Sequence, residues 1–385
     1  MHDFLVREII NSDIKKEILD IGYDKSYVHK ACEKFEYKNI KIFNITSAQA
    51  NIIKQLALSV GCDCATNKDC ITGKAESSNC ILGGSLSQLK LVASKLSAQP
   101  FGLKQLGENL SETLKSPSTL QPFNPSTKIV GVLNLTKDSF SDGGEFYEYG
   151  SAIEHLEELI KDGADIIDIG AESTKPFSQP VDDNSQLEKL IPVVKYAKER
   201  NAIISIDTRS AKVAEECLKL GADTINDVSG FEYDEKMPEI IAKYDAKVVI
   251  QHSKGTPENM QDNTDYSNLM DEIYLSLKSK IDIALSKGIK KENIIIDPGI
   301  GFGKTREQNF EIIRRIEELY SLGCEVMLGI SRKSLLNMPD KSNEIKDIYT
   351  VALNTLAVQK HVDYIRVHNV KLHKQLLELT SEVIF

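Results

Sequence analysis

The chain has 385 residues, 41% of them hydrophobic and 27% charged, with a formal net charge of -10 at pH 7. That length exceeds one ordinary domain and that composition excludes a disordered or fibrous chain, so two domains with packed cores are expected. The negative balance excludes a general attraction to nucleic acid or to an anionic membrane, and any anionic ligand must be held by local basic groups in a pocket.

The N-terminus carries charges throughout, unlike the apolar core of a signal peptide, and no apolar run approaches the roughly 20 residues needed to cross a bilayer. A soluble, cytoplasmic protein is the expectation. Residues 1–112 read as a small α/β extension, with strands at 40–45 and 79–84 and helices at 47–61 and 85–96. Within it Cys62, Cys64, Cys70 and Cys80 follow a C-x-C-x5-C-x9-C spacing that fits no common zinc pattern. They are expected to be reduced thiols packed in the small domain. Residues 113–127 read as a linker, because prolines, serines and threonines break every periodic pattern there.

From 128 to 385 short apolar runs alternate with amphipathic helices. The runs are "IVGVLNL", "DIIDIGAES", "AIISIDT", "TINDVSG", "KVVIQH", "IIIDPG", "EVMLGIS" and "YIRVHNV", eight in all. Between them, Ile153, Leu156, Leu159 and Ile160 line one helical face, and Ile312, Ile313, Ile316 and Leu319 line another. Both of these helices run up to a glycine, a common helix stop. Eight such units match a (β/α)8 TIM barrel, whose strands are buried on both faces and so read as continuous apolar runs. An open doubly wound sheet is the alternative, and it does not ordinarily need eight such regular units.

In a barrel of this kind the chemistry sits at the C-terminal ends of the strands. There the chain places Asn134, Glu172, Asp207 with Arg209, Asn226 with Asp227, Gln251 with His252, Asp297, Arg332 with Lys333, and Arg366 with His368. Any one of these acids alone reads as a turn former or helix cap. Together they read as a site. Asp207, Asn226 and Asp297 suit the hydrogen-bonding edge of a polar heterocycle such as an amino-pyrimidinone. Arg332, Lys333, Arg366 and His368 follow the seventh and eighth runs, where this fold commonly binds phosphate. In "DPGIGFGK" the glycines allow a sharp turn with Phe302 and Lys304 facing the pocket, while the order fits neither a P-loop nor a dinucleotide fingerprint. His252 reads as a support for its strand end rather than a base. The segment after the first run, "TKDSFSDGG", reads as a lid loop pivoting on Gly143 and Gly144.

The motifs "VLNLTKDSFSDGG", "DIGAESTKP", "SIDT", "IND", "DPGIGFGK", "GISRKS" and "RVHNV", in this order on successive strands, resemble dihydropteroate synthase across residues 126 to 385. The upstream segment is similar to an extension found on some longer members. The resemblance implies a reaction in which p-aminobenzoate displaces diphosphate from 6-hydroxymethyl-7,8-dihydropterin diphosphate to give 7,8-dihydropteroate for folate synthesis. It also implies a sulfonamide target. By the same resemblance Asp207, Asn226, Asp297 and Gln251 border the pterin, and Lys333 bonds its ring. Arg366 stacks on the pterin and, with Asn134 and His368, grips the diphosphate, with Mg2+ at Asn134. The p-aminobenzoate would lie among Phe140, Thr174, Pro176 and Phe302, its carboxylate at Ser334 and the helix N-terminus that follows. Asp138 or Asp142 would stabilise a pterin-methylene cation. A homodimer is implied as well.

Lys137, Lys175, Phe177 and Gln251 depart from the residues usual in that family. A lysine at 175 cannot reproduce an arginine's bidentate fork. Two rivals remain open at this level: a pterin-binding methyltransferase, which needs no anion grip, and a pterin-binding protein without catalysis.

Overall fold

The computed structural model describes residues 5–7, 9, 14–115, 127–135, 145–172, 181–255, 263–336 and 342–383. The chain divides into two compact units, Met1–Pro122 and Phe123–Phe385.

The first unit runs α1 (Ile14–Asp20), α2 (Val28–Cys32), β1 (Tyr37–Thr46), α3 (Ser47–Ser59), β2 (Asp63–Thr66), β3 (Ser77–Ser85), α4 (Leu86–Leu96) and α5 (Leu103–Thr113). Its sheet is antiparallel in the order β1-β3-β2. Each of the two strands expected here runs straight into a helix through a capping box: Thr46 and Gln49 start α3, and Ser85 and Gln88 start α4. In each box two amides that a helix start leaves unpaired are satisfied reciprocally. The core joins Ile42, Ile53, Leu82, Leu89 and Leu96 to the buried Cys62, Cys64, Cys70 and Cys80. All seven cysteines are free thiols. The sequence reading missed β2, whose four residues bury only Cys64. It also missed α1, α2 and α5. In α5 Gly107 is required by close approach, since a Cβ there would stand 2.6 Å from the carbonyl oxygen of Ala93 in α4.

The second unit is a closed parallel barrel flanked by helices. Its strands are β4 (Lys128–Asn134), β5 (Ile166–Gly170), β6 (Ile204–Asp207), β7 (Thr224–Asp227), β8 (Lys247–Gln251), β9 (Ile294–Asp297), β10 (Glu325–Leu328) and β11 (Tyr364–Val367). The helices are α6 (Glu145–Lys161), α7 (Asp183–Glu199), α8 (Ala211–Lys219), α9 (Met237–Tyr244), α10 (Leu269–Ser286), α11 (Arg306–Arg315), α12 (Asn343–Gln359) and α13 (Val370–Val383). Each of the eight apolar runs contributes one strand, and β11 pairs with β4 to close the ring. No helix among the described residues is long and apolar enough to cross a membrane.

Strand alternation sorts the side chains. Ile167, Ile169, Ile204, Ile206, Ile225, Ile294, Ile296 and Ile365 join the large core with the helices. Val130, Ile166, Val249, Ile295, Met327 and Tyr364 form a separate apolar cluster inside the barrel. Two residues further along their strands stand Asp168, Gln251, Asp297 and Arg366. The barrel is thus plugged by hydrocarbon below and lined with charge above.

One expected helix differs in part. From Ile316 to Leu322 the continuation of α11 tightens into a 3-10 helix. Three residues per turn stack Ile316, Leu319 and Leu322 on one side, and all three are buried. Gly323 ends it at a φ of 71°.

Candidate functional site

The end of β6 delivers Asp207 and the end of β7 delivers Asn226, neighbours in the ladder. Across the mouth, Arg366 of β11 donates from Nε to Asp168 Oδ2 at 2.6 Å and from Nη2 to Asp207 Oδ2 at 2.8 Å. Asn226 Nδ2 donates to the same Asp168 oxygen at 3.1 Å. Asp168 is 1% exposed, and its other oxygen, like Asn226 Oδ1, is buried without a partner in the structure. An orphaned acceptor pair of this kind wants N–H donors.

Asp297, at the end of β9, accepts the Gly299 amide at 2.6 Å through Oδ1. Its Oδ2, the Lys333 amine and Arg366 Cβ all lie 3.6 to 3.9 Å from the point where a Cβ on Gly329 would stand. The glycine leaves that point open. Lys333 Nζ donates to the Ile300 carbonyl at 2.6 Å and lies 4.8 Å from the Phe302 ring centroid. Gly170 opens a second gap, since a Cβ there would stand 3.2 Å from Asp207 Cβ and 3.7 Å from Asn134 Oδ1.

Burial dominates the electrostatics. It pushes the Asp207 carboxyl up to about 7, with Arg366 opposing the rise and Asp168 adding to it. It raises Asp297 in the same way, against the pull of Lys333. Lys333 is brought down to about 8 by burial, with Asp297 resisting. His368 falls to about 3 through burial and the nearby Arg332 and Arg366 charges. Its amide donates to Ser331 Oγ at 3.2 Å, and its Nδ1 lies 2.9 Å from that same oxygen. The ring is therefore neutral and anchored to Ser331 through Nδ1.

Several expectations change. Lys304 does not face the pocket: its buried amine is held at 2.9 Å by each of His252 Nδ1, the Gly299 carbonyl and the Phe302 carbonyl. A loop that folds back on itself must pair its carbonyls, and Lys304 does so here. His252 is buried and held well below its usual pKa by desolvation and by Lys304, so it supports the loop as a neutral ring. Arg332 is not a free cation of the rim, because Asp347 of α12 binds it through two bonds of 2.9 Å. Ser334 is exposed but opens only a three-residue 3-10 turn, and α12 starts later, at Asn343. Gln251 is buried, its Nε2 donating to the Val228 carbonyl at 3.3 Å. Asp227 caps its own loop, accepting the amides of Ser229 and Phe231.

Arg209 forks onto Glu172 with bonds of 3.1 and 2.9 Å, both side chains buried. Asp138, Phe140, Asp142, Thr174 and Pro176, with Lys137, Gly143, Gly144, Lys175 and Phe177, lie outside the described residues. Asp168 was missed by the sequence reading. The signal was a carboxylate inside an otherwise apolar run, on the same face as Gly170.

The model of the family described as pterin binding enzyme matches residues 130–368. A dihydropteroate synthase of Clostridium beijerinckii is 42% identical over 67% of this chain and 94% of its own length. The solved dihydropteroate synthase of Clostridium difficile, studied in the presence of pteroic acid, is 43% identical with a TM-score of 0.63 over 67% of this chain and 96% of that one. A probable bifunctional folylpolyglutamate synthase/dihydropteroate synthase of Haloferax volcanii is 32% identical over 84% of this chain and 40% of its own length, so that match reaches into the first unit. A polar, arginine-bridged mouth above an apolar plug, on a barrel matched over nearly its whole span, places this chain in the pterin-binding enzyme family, among the dihydropteroate synthases.

Proposed function

We infer that the chain condenses p-aminobenzoate with 6-hydroxymethyl-7,8-dihydropterin diphosphate, releasing diphosphate and 7,8-dihydropteroate in folate biosynthesis. The observation that carries this is the layer of Asp168, Asp207, Asn226 and Asp297 facing Lys333 and Arg366 in a pterin-binding barrel. Unpaired oxygens there accept the N–H groups of a pterin edge, Asn226 and Lys333 donate to its ring oxygen and nitrogens, and the Arg366 plane offers a stacking surface. Membership of the dihydropteroate synthases favours this reaction over a methyl transfer or a silent pterin-binding role.

In the reaction the methylene carbon–oxygen bond breaks and its electron pair leaves with the diphosphate. The aniline nitrogen then bonds that carbon and gives up one proton. Charge grows on the leaving oxygen, and the side chains set around it are Arg366, the neutral His368 and Asn134. Mg2+ belongs to the proposal. The Asn134 amide oxygen, half-buried beside the gap at Gly170, is a hard oxygen donor suited to that ion, with diphosphate and water completing the shell. When bound, the ion would neutralise charge on the diphosphate.

Two titrations should frame the rate. Asp207 accepts a pterin N–H strongly only when ionised, and Lys333 donates strongly only when protonated. Accordingly, kcat/KM is expected to fall about tenfold per pH unit below about 7 and again above about 8. Steady-state rates from pH 5 to 10 test this, and a flat acid limb would remove Asp207 from the role.

The activity itself is tested by diphosphate release with and without p-aminobenzoate, for the full chain and for a chain starting at Phe123. Release that needs p-aminobenzoate and yields dihydropteroate is expected from both; pterin binding without turnover would favour the non-catalytic reading. Two further parts of the reading are a cytoplasmic location and a homodimer burying the exposed Ile348 and Leu356 of α12 and Leu379 of α13. Sedimentation at micromolar concentration checks the dimer.

A further inference from the structure

Asp347 lies near the start of α12 and is 4% exposed. Its Oδ1 accepts Arg332 Nε and its Oδ2 accepts Arg332 Nη2, both at 2.9 Å. The same Oδ2 accepts Asn369 Nδ2 at 3.4 Å. Burial works against the charge on this carboxyl, and the bonds and charge of Arg332, together with Asn369 and His368, more than offset it, holding the group below its usual range.

The two partners of Asp347 sit next to residues of the site. Arg332 has a φ of +59°, a left-handed conformation that is strained for a bulky side chain. Something outside the backbone must hold it there, and the fork is suited to do so. The residues that leave this turn are Lys333 and Ser334. Asn369 follows His368 and starts α13 by accepting the Leu372 amide at 3.1 Å. A single buried carboxylate thus ties the end of β10 to the end of β11.

We propose that Asp347 is a positioning residue, aiming Lys333 and Ser334 through Arg332 and His368 through Asn369. The proposal rests on the synthase reading above. It extends the working parts of the site to α12, because geometry at the reacting centre is only as fixed as the bonds behind it.

The test uses the full chain with Asp347→Asn, which keeps the shape and loses the charge, and Arg332→Lys, which keeps the charge and loses the fork. Each is expected to lower kcat about 10- to 100-fold per folded molecule and to raise the KM for p-aminobenzoate, with the unfolding midpoint moved by only a few degrees. The double variant should be no worse than the poorer single one, since both remove the same link. An unchanged kcat with a lowered midpoint would make Asp347 a structural anchor and overturn the proposal, as would fully additive losses. Should Asp347→Asn fail to fold, Arg332→Lys decides alone by the same readings. If the unaltered chain binds pterin diphosphate but releases no diphosphate, it is the synthase reading that fails; the proposal is then judged by whether each variant binds pterin diphosphate at least tenfold more weakly.

Discussion

Arg366→Met is expected to lower kcat/KM by at least about a thousandfold and to destabilise the fold by about 3–5 kcal/mol. The guanidinium is the listener to two carboxylates at once, Asp168 and Asp207, both nearly inaccessible to water. Methionine fills much of the same volume and answers neither. Burial and the neighbouring carboxylates would then set Asp207 unopposed by the guanidinium, and it already stands at about 7 with Arg366 as the main influence opposing the rise. Its pKa should climb further, so the variant would carry a protonated Asp207 at neutral pH and lose an acceptor for the pterin. Denaturant titration and steady-state kinetics at pH 7.5 read the two effects. An unchanged midpoint would show that the carboxylates find other partners, and an unchanged rate would take Arg366 out of the mechanism.

Lys333→Met should lower kcat/KM by two to three orders of magnitude, about what loss of a preorganised donor costs in a dry site. Lys333 is the strongest influence holding Asp297 down against burial. Without it the Asp297 carboxyl rises and the pterin edge loses a second acceptor along with a donor. The KM for the pterin diphosphate should therefore rise while the alkaline limb near pH 8 disappears, because the group that titrates there is gone. Persistence of that limb would assign it to a different group. Rates against pH for both proteins settle the matter.

Strand positions were legible because a strand buried on both faces must be apolar along its whole length, and each run closes on a polar residue at the mouth. Asp207, Asn226, Asp297 and Arg366 could be picked out on that ground. Asp168 could not, since a carboxylate amid isoleucines acquires meaning only when the inward alternation of β5 sets it beside Arg366, 198 residues away in the chain. The small strand β2 was hidden for a related reason, having a single buried side chain to betray it.

Charge behaves differently from pattern. From the sequence, Arg332, Lys333, Arg366 and His368 form one basic rim. In the folded chain Arg332 is bound by Asp347, Arg366 by two aspartates, and His368 is neutral through burial. The barrel, the succession of its strands and the residues at their ends were readable in the order of amino acids, because hydrophobic periodicity is local. Which charges remain available and which carboxylates await a donor emerged with folding, because desolvation and ion pairing depend on neighbours brought from distant parts of the chain.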